Sequence, residues 1–308
     1  MPVLQAASMG DLLKNTLKEL GEMKVTELAS DLQEHVAMET LLNTNNVKFD
    51  AGTSLQWNVM IRHNGNFRFV GLYETDNTDV GDVMTQAELP WRHSTASFAM
   101  DERELAMNRS PRKIVDILKE RRRECMIGTA EGMESAFWGY PISTDEKTPH
   151  GVAYHIVKNA TEGFNGGAQT GYTLVSNINP TNVPRWKNYT AQYVTLSEDD
   201  FVRKVRGAMR KTMFKPAAGG GHPTFNTGDK WGLYTNYTVI NRLEELLKAQ
   251  NENIGNDLAA KDGDVLFRKA PVKWVPKLDA DTTDPMYGIN WGVFKTVILR
   301  GFWMRQVS

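Results

Sequence analysis

The chain has 308 residues, a formal net charge of −1 and an isoelectric point near 6.6, with 41% hydrophobic and 9% aromatic residues. That apolar content supports a folded core and excludes disorder along the whole chain, and the length allows roughly one to three domains. The near-neutral balance argues against a dedicated polyanion binder, while leaving room for one basic face on a large assembly.

Cys125 is the single cysteine, so no disulfide can form within the chain, which suits a reducing compartment. No basic-then-apolar signal pattern opens the sequence, and no apolar run approaches the ~18 residues that span a bilayer. The expectation is a soluble protein made in the cytoplasm.

Residues 10–43 have helical spacing, with Leu12, Leu13, Leu17 and Leu20 before Gly21 and Leu28, Leu32 and Val36 after it. The stripe is thin and reads either as an arm lying on another surface or as an ordinary helix pair. Over 46–100 the period changes to two. Leu55, Trp57, Val59 and Ile61 alternate with polar residues, Asn64-Gly65 predicts a tight hairpin, and Phe67, Phe69 and Tyr73 continue the alternation. A polar tip, "ETDNTDVGD", precedes a third extended run, "LPWRHSTASFAM". Such a ribbon needs another surface to pack on.

Ser110 as N-cap and Pro111 at the first helical position open a helix that Gly139-Tyr140-Pro141 ends. Ile114, Ile117, Leu118, Cys125, Met133 and Phe137 form its stripe. At roughly 28 residues and ~42 Å it is far longer than usual. Farther on, "SEDDFVRKVRGAMRKTMF" predicts a helix capped by Ser197 with Phe201, Val205, Ala208 and Met209 inward. "WGLYTN" reads as a strand. "YTVINRLEELLKAQNENIG" reads as a helix burying Ile240, Leu243, Leu246 and Leu247 and closing at Gly255. "DVLFRKAPVKWVPKL" and "INWGVFKTVILRGFWMRQ" read as strands, which makes an α+β arrangement.

The chemical motifs fail one after another. Gly219, Gly220 and Gly221 resemble a phosphate cradle, but a helix precedes them, His222-Pro223 follows, and Lys215 lies on the wrong side. They read instead as a mobile connection. The six histidines have no zinc spacing, and "DNTDVGD" and "LDADTTDP" lack the pattern of a calcium loop. No nucleophile motif occurs. No catalytic, cofactor-binding or metal-ligating residue is assigned. "KERRRE" is the strongest polar signal: Arg121, Arg122 and Arg123 could meet phosphates, neighbouring subunits or simply solvent, with Glu120 and Glu124 as helical partners.

The order of arm, ribbon, very long helix and larger α+β region resembles the major capsid proteins of tailed bacteriophages, the Hong Kong 97-type fold. "RSPRKIVDILKERRRECMIGTAEGMESAFWG" is similar to that family's spine helix and residues 46–100 to its extended loop. "GDKWGLYTNYTVINRLEELLKAQNENIG" and "LFRKAPVKWVPKLDADTTDPMYGINW" resemble its axial-domain segments. The resemblance implies an arm at 1–45, an extended ribbon at 46–100 and a peripheral domain at 101–150 holding the spine helix 111–138. An axial domain at 151–290 and a return strand at 291–308 complete the division. It further implies hexamers and pentamers closing an icosahedral virion shell, assembled in the host bacterial cytoplasm near packaged double-stranded DNA. Trp57, Phe67, Phe69, Tyr73, Trp91 and Arg121 to Arg123 become candidate contacts between subunits, and Gly219 to Gly221 a mobile axial loop. No long charged leader precedes the arm, so separate scaffolding and portal proteins are expected partners, with no membrane partner. Three alternatives are an encapsulin-like compartment, a soluble phosphate-binding enzyme and a nucleic-acid-binding module acting through Arg121 to Arg123.

Overall fold

Val47–Asp50 and Ser54–Met60 form the first two strands, β1 and β2. The computed structural model describes residues 36, 47–62, 66–74, 81–99, 101, 103, 111–212, 231–251, 265–267 and 270–302, without the side chains of 111–119 and 247–251. The expected helix pair over 10–43, apart from the buried helical Val36, lies outside those residues. So do the Ser110 cap, the Asn64-Gly65 turn, the Gly219 to Gly221 loop and the Gly255 stop.

In β2 the less exposed residues Leu55, Trp57 and Val59 alternate with exposed Gln56, Asn58 and Met60. That is the burial pattern of a ribbon with one covered face. Its partner differs from the expected one. β2 pairs antiparallel with β3 (Met84–Pro90), Trp57 opposite Ala87, whereas residues 66–74 and 91–99 form no strand. The third extended run therefore starts earlier than "LPWRHSTASFAM" and ends at Pro90.

α1 spans Pro111–Trp138, the full expected helix. Among its described side chains Glu134 and Trp138 are buried, while Cys125, Met133 and Phe137 on the expected stripe are half-buried. The Trp138 indole N–H donates to the Glu134 carboxylate at 2.8 Å, one turn back along the helix. This bond offsets part of the cost of burying a carboxylate.

By contact the described residues divide within α1. Those within Thr95–Met133 form one unit, and those within Glu34–Ser94 and Glu134–Ser308 form another. In the second unit a short helix, α2 (Val152–His155), leads into a long irregular stretch with one 3-10 turn at Pro184–Trp186. Ser197 then caps the next helical element, accepting from the Asp200 N–H as its sequence indicated. The first turn, Glu198–Val202, is π-helical and continues into α3 (Arg203–Thr212).

β4 (Trp231–Thr235) is followed by α4 (Tyr237–Asn251), β5 (Leu266–Phe267), β6 (Ala270–Trp274), β7 (Met286–Asn290) and β8 (Thr296–Leu299). The strand order is β5-β6-β4-β7, with β4 parallel to β6 and antiparallel to β7. Period-two alternation divides the side chains between two layers. Leu233, Val272 and Met286 join Phe201, Met209, Val239 and Leu243 from the helices. Tyr234, Tyr287 and Ile289 join Val36, Trp138, Val152 and Trp291 on the opposite face. Of the expected α4 core positions, Leu243 is buried and Ile240 and Leu246 are half-buried.

Two long strand expectations are broken up. "APVKW" ends in a 3-10 turn, Pro276–Ala280. "INWGVFKTVIL" is split because the Asn290 side chain accepts from the Gly292 N–H at 3.0 Å and its carbonyl accepts from the Phe294 N–H at 2.9 Å. β8 then pairs in parallel with β1, Val47 opposite Thr296.

Candidate assembly surface

Within the second unit, the root of the ribbon is bonded to a strained turn. Val175 and Ile178 exchange backbone hydrogen bonds of 2.9 and 3.0 Å around Ser176 (φ 50°) and Asn177 (φ 64°). Two left-handed residues at the centre of a two-residue turn are the type I′ geometry, here without glycine. The Ser176 carbonyl accepts from the Glu88 N–H of β3 at 3.0 Å, and its own N–H donates to the Tyr154 hydroxyl at 3.2 Å. Across the ribbon, the Ser54 hydroxyl donates to the Glu88 carboxylate at 2.5 Å and the Gln56 amide at 3.3 Å. These bonds, Ser54 foremost, hold the carboxyl below its usual range. They also hold the register at the base, where Gln56 lies opposite Glu88 and Ser54 opposite Pro90.

The candidate contact residues separate into two sets. Trp57 and Trp91 are half-buried at the ribbon base, and the Trp91 indole donates to the Gly52 carbonyl at 2.9 Å. Phe67, Phe69 and Tyr73 are 84%, 92% and 102% exposed. Leu72, which the alternation did not single out, is 93% exposed beside them. Phe67 and Phe69 meet edge to face at 5.4 Å, and Tyr73 is held at φ 71° where the Glu74 carboxylate accepts from the Gly71 N–H at 2.8 Å. In the other unit, Arg121 donates to the Ala99 carbonyl at 2.9 Å, while Arg122 and Arg123 are exposed along α1.

Titratable groups gather behind the ribbon root. Burial, with the His150 charge beside it, lowers the His155 imidazole to about 4. Burial, then the Arg92 charge, also lowers His150. The rings of Tyr154 and Phe294 flank His155, at 5.0 and 6.0 Å. Asp145 accepts from the backbone N–H groups of Lys147 and Thr148. The rings of His150, Tyr154 and His155 pack against one another in this cluster.

The acidic segment 279–284 is taken up by protein partners. Asp279 accepts from the Tyr237 N–H at 2.7 Å and Asn236 from the Val239 N–H at 3.2 Å, so both cap α4. Asp281 pairs with Lys158, and Asp284 accepts from Asn236. Among the described residues no group of three or more His, Cys, Asp or Glu is placed to hold a metal ion. No helix among them is long and apolar enough to cross a membrane. A shallow open groove of about 630 Å³ lies between Thr195–Ser197 and the first turns of α4, whose leading N–H groups are already capped.

No protein-family model matches the chain, and none of the curated proteins matches it. Among solved structures it is similar to a chain of the cyanophage A-1(L) capsid asymmetric unit. The TM-score is 0.57 at 16% sequence identity, over 89% of this chain and 75% of that one. At that identity the likeness is one of fold: the chain has a mixed helix-and-strand architecture shared with a phage capsid protein.

Proposed function

We propose that this chain is the major capsid protein of a tailed bacteriophage, with a Hong Kong 97-type fold. Copies of it form the hexamers and pentamers of an icosahedral head enclosing double-stranded DNA. The ribbon carries the reading. A two-stranded ribbon whose far end exposes Phe67, Phe69, Leu72 and Tyr73 has no apolar cover among the described residues, and exposed apolar surface of this kind marks an interaction site. Another copy of the chain supplies that cover in a symmetric shell. The fold likeness to a cyanophage capsid chain supports the same reading. So does the arrangement of ribbon, long helix and α+β sheet.

In this reading residues 1–45 are the arm, 46–100 the extended loop, 101–150 the peripheral domain, 151–290 the axial domain and 291–308 a return strand. Assembly takes place in the host cytoplasm with separate scaffolding and portal proteins. The role of the chain is mechanical and non-catalytic. Imaging and sedimentation of the expressed protein test it. Closed shells are the expected result, and monomers that bind nucleotide would overturn it.

A further inference from the structure

α3 carries five cations in ten residues, RKVRGAMRKT, and no acid. Two of the five have partners. Lys204 pairs with Asp200 at 2.5 Å, and Lys211 lies 3.5 Å from Glu162 with its ammonium over the Tyr189 ring. The lysines thus occupy Asp200 and Glu162, while Glu198 and Asp199 lie in the turn that precedes the helix. Arg203, Arg206 and Arg210 are exposed and make no hydrogen bond, ion pair or ring contact among the described residues.

Their spacing of three and four puts them on one helix face, a row ~10 Å long at 1.5 Å per residue. Met209 is buried and Val205 packs beside it in the core behind the sheet, so the backbone under the row is fixed. The helix dipole favours cations only in the last turn and does not account for Arg203 or Arg206. No large apolar side chain of α3 is exposed, so the face lacks the anchor that a protein partner uses. Guanidinium groups match phosphate oxygens in pairs, and sequence-independent DNA contacts are of this kind.

We propose that the Arg203, Arg206 and Arg210 face of α3 binds the phosphate backbone of double-stranded DNA without sequence preference. This rests on the capsid reading only in taking that DNA to be the packaged genome. With a net charge of −1, a single subunit binds weakly, and many copies on one surface supply the avidity.

The test measures binding of the expressed protein to a short fluorescent DNA duplex between about 50 and 200 mM salt. Each lost phosphate contact lowers the slope of log affinity against log salt by about 0.9. The combined Arg203→Gln, Arg206→Gln and Arg210→Gln variant is expected to lower that slope by about two to three, and to weaken low-salt binding by at least about tenfold. The corresponding triple Lys variant is expected to keep the slope. An unchanged slope in the Gln variant, or tighter binding of wild type to polyglutamate than to DNA, overturns the proposal. Particles are imaged in the same preparations. Shells with an unchanged slope sink the DNA face alone, and a lost slope without wild-type shells sinks the capsid reading alone.

Discussion

Gly151 begins α2 against the last turn of α1. A Cβ there would lie 2.3 Å from the Gly139 carbonyl oxygen and 2.4 Å from those of Ala136 and Phe137. All three are backbone atoms, so no side chain can swing aside. Gly151→Ala is expected to cost about 3 kcal/mol, the upper end for overpacking, read from the urea midpoint. A loss under about 1 kcal/mol would show that the helix end shifts freely. His155 gives a second expectation. Its folded pKa, about 4, lies below the ordinary 6.5, so the unfolded chain takes up the proton more readily. Its contribution is intact above pH 6.5 and is lost as pH falls toward 4, with an upper bound of roughly 3 kcal/mol. His150 stands next to this group and its charge opposes protonation of His155, while Arg92 acts in turn on His150. Stability measured across that window is expected to fall more steeply in wild type than in His155→Gln, and parallel curves would contradict the assignment.

The ribbon shows what local pattern can and cannot specify. Alternation at Leu55, Trp57 and Val59 was readable because each half-buried side chain alternates with an exposed polar or flexible one. The partner strand was not. Asn64-Gly65 signals a tight turn, yet β2 pairs across a long connection with Met84–Pro90. The bonds around that register, Ser54 to Glu88 and Glu88 to Ser176, join residues far apart in sequence. Ser176-Asn177 carries little turn signal, since its left-handed backbone lacks the usual glycine. Asn290 is a signal that could have been used, because an asparagine accepting from the N–H two residues on marks a turn. At this scale the ribbon end can be tested directly. Phe67→Ser, Phe69→Ser and Leu72→Ser together alter exposed positions, so subunit stability is expected to stay within about 0.5 kcal/mol per site. Sedimentation is expected to show assembly lost. Assembly at the wild-type level would remove the ribbon end from the contact.

For the whole molecule, the order of ribbon, long helix, helices and sheet was legible because each element has its own period. The two layers around β4 follow from strict alternation in Leu233 and Tyr234. Charge was less legible. "KERRRE" stands out as a run, yet Arg121 is bonded to Ala99, while the α3 arginines without a partner among the described residues are dispersed among residues that pack. Counting cations in a sequence does not reveal which carboxylates fold beside them.

In the proposed shell each copy lays its ribbon on neighbouring copies. Electron cryomicroscopy of the expressed protein tests it most directly. Closed particles tens of nanometres wide are expected, with Phe67, Phe69 and Tyr73 of each subunit covered by another. A protein that stays monomeric at high concentration, or particles in which those side chains face solvent, would contradict it.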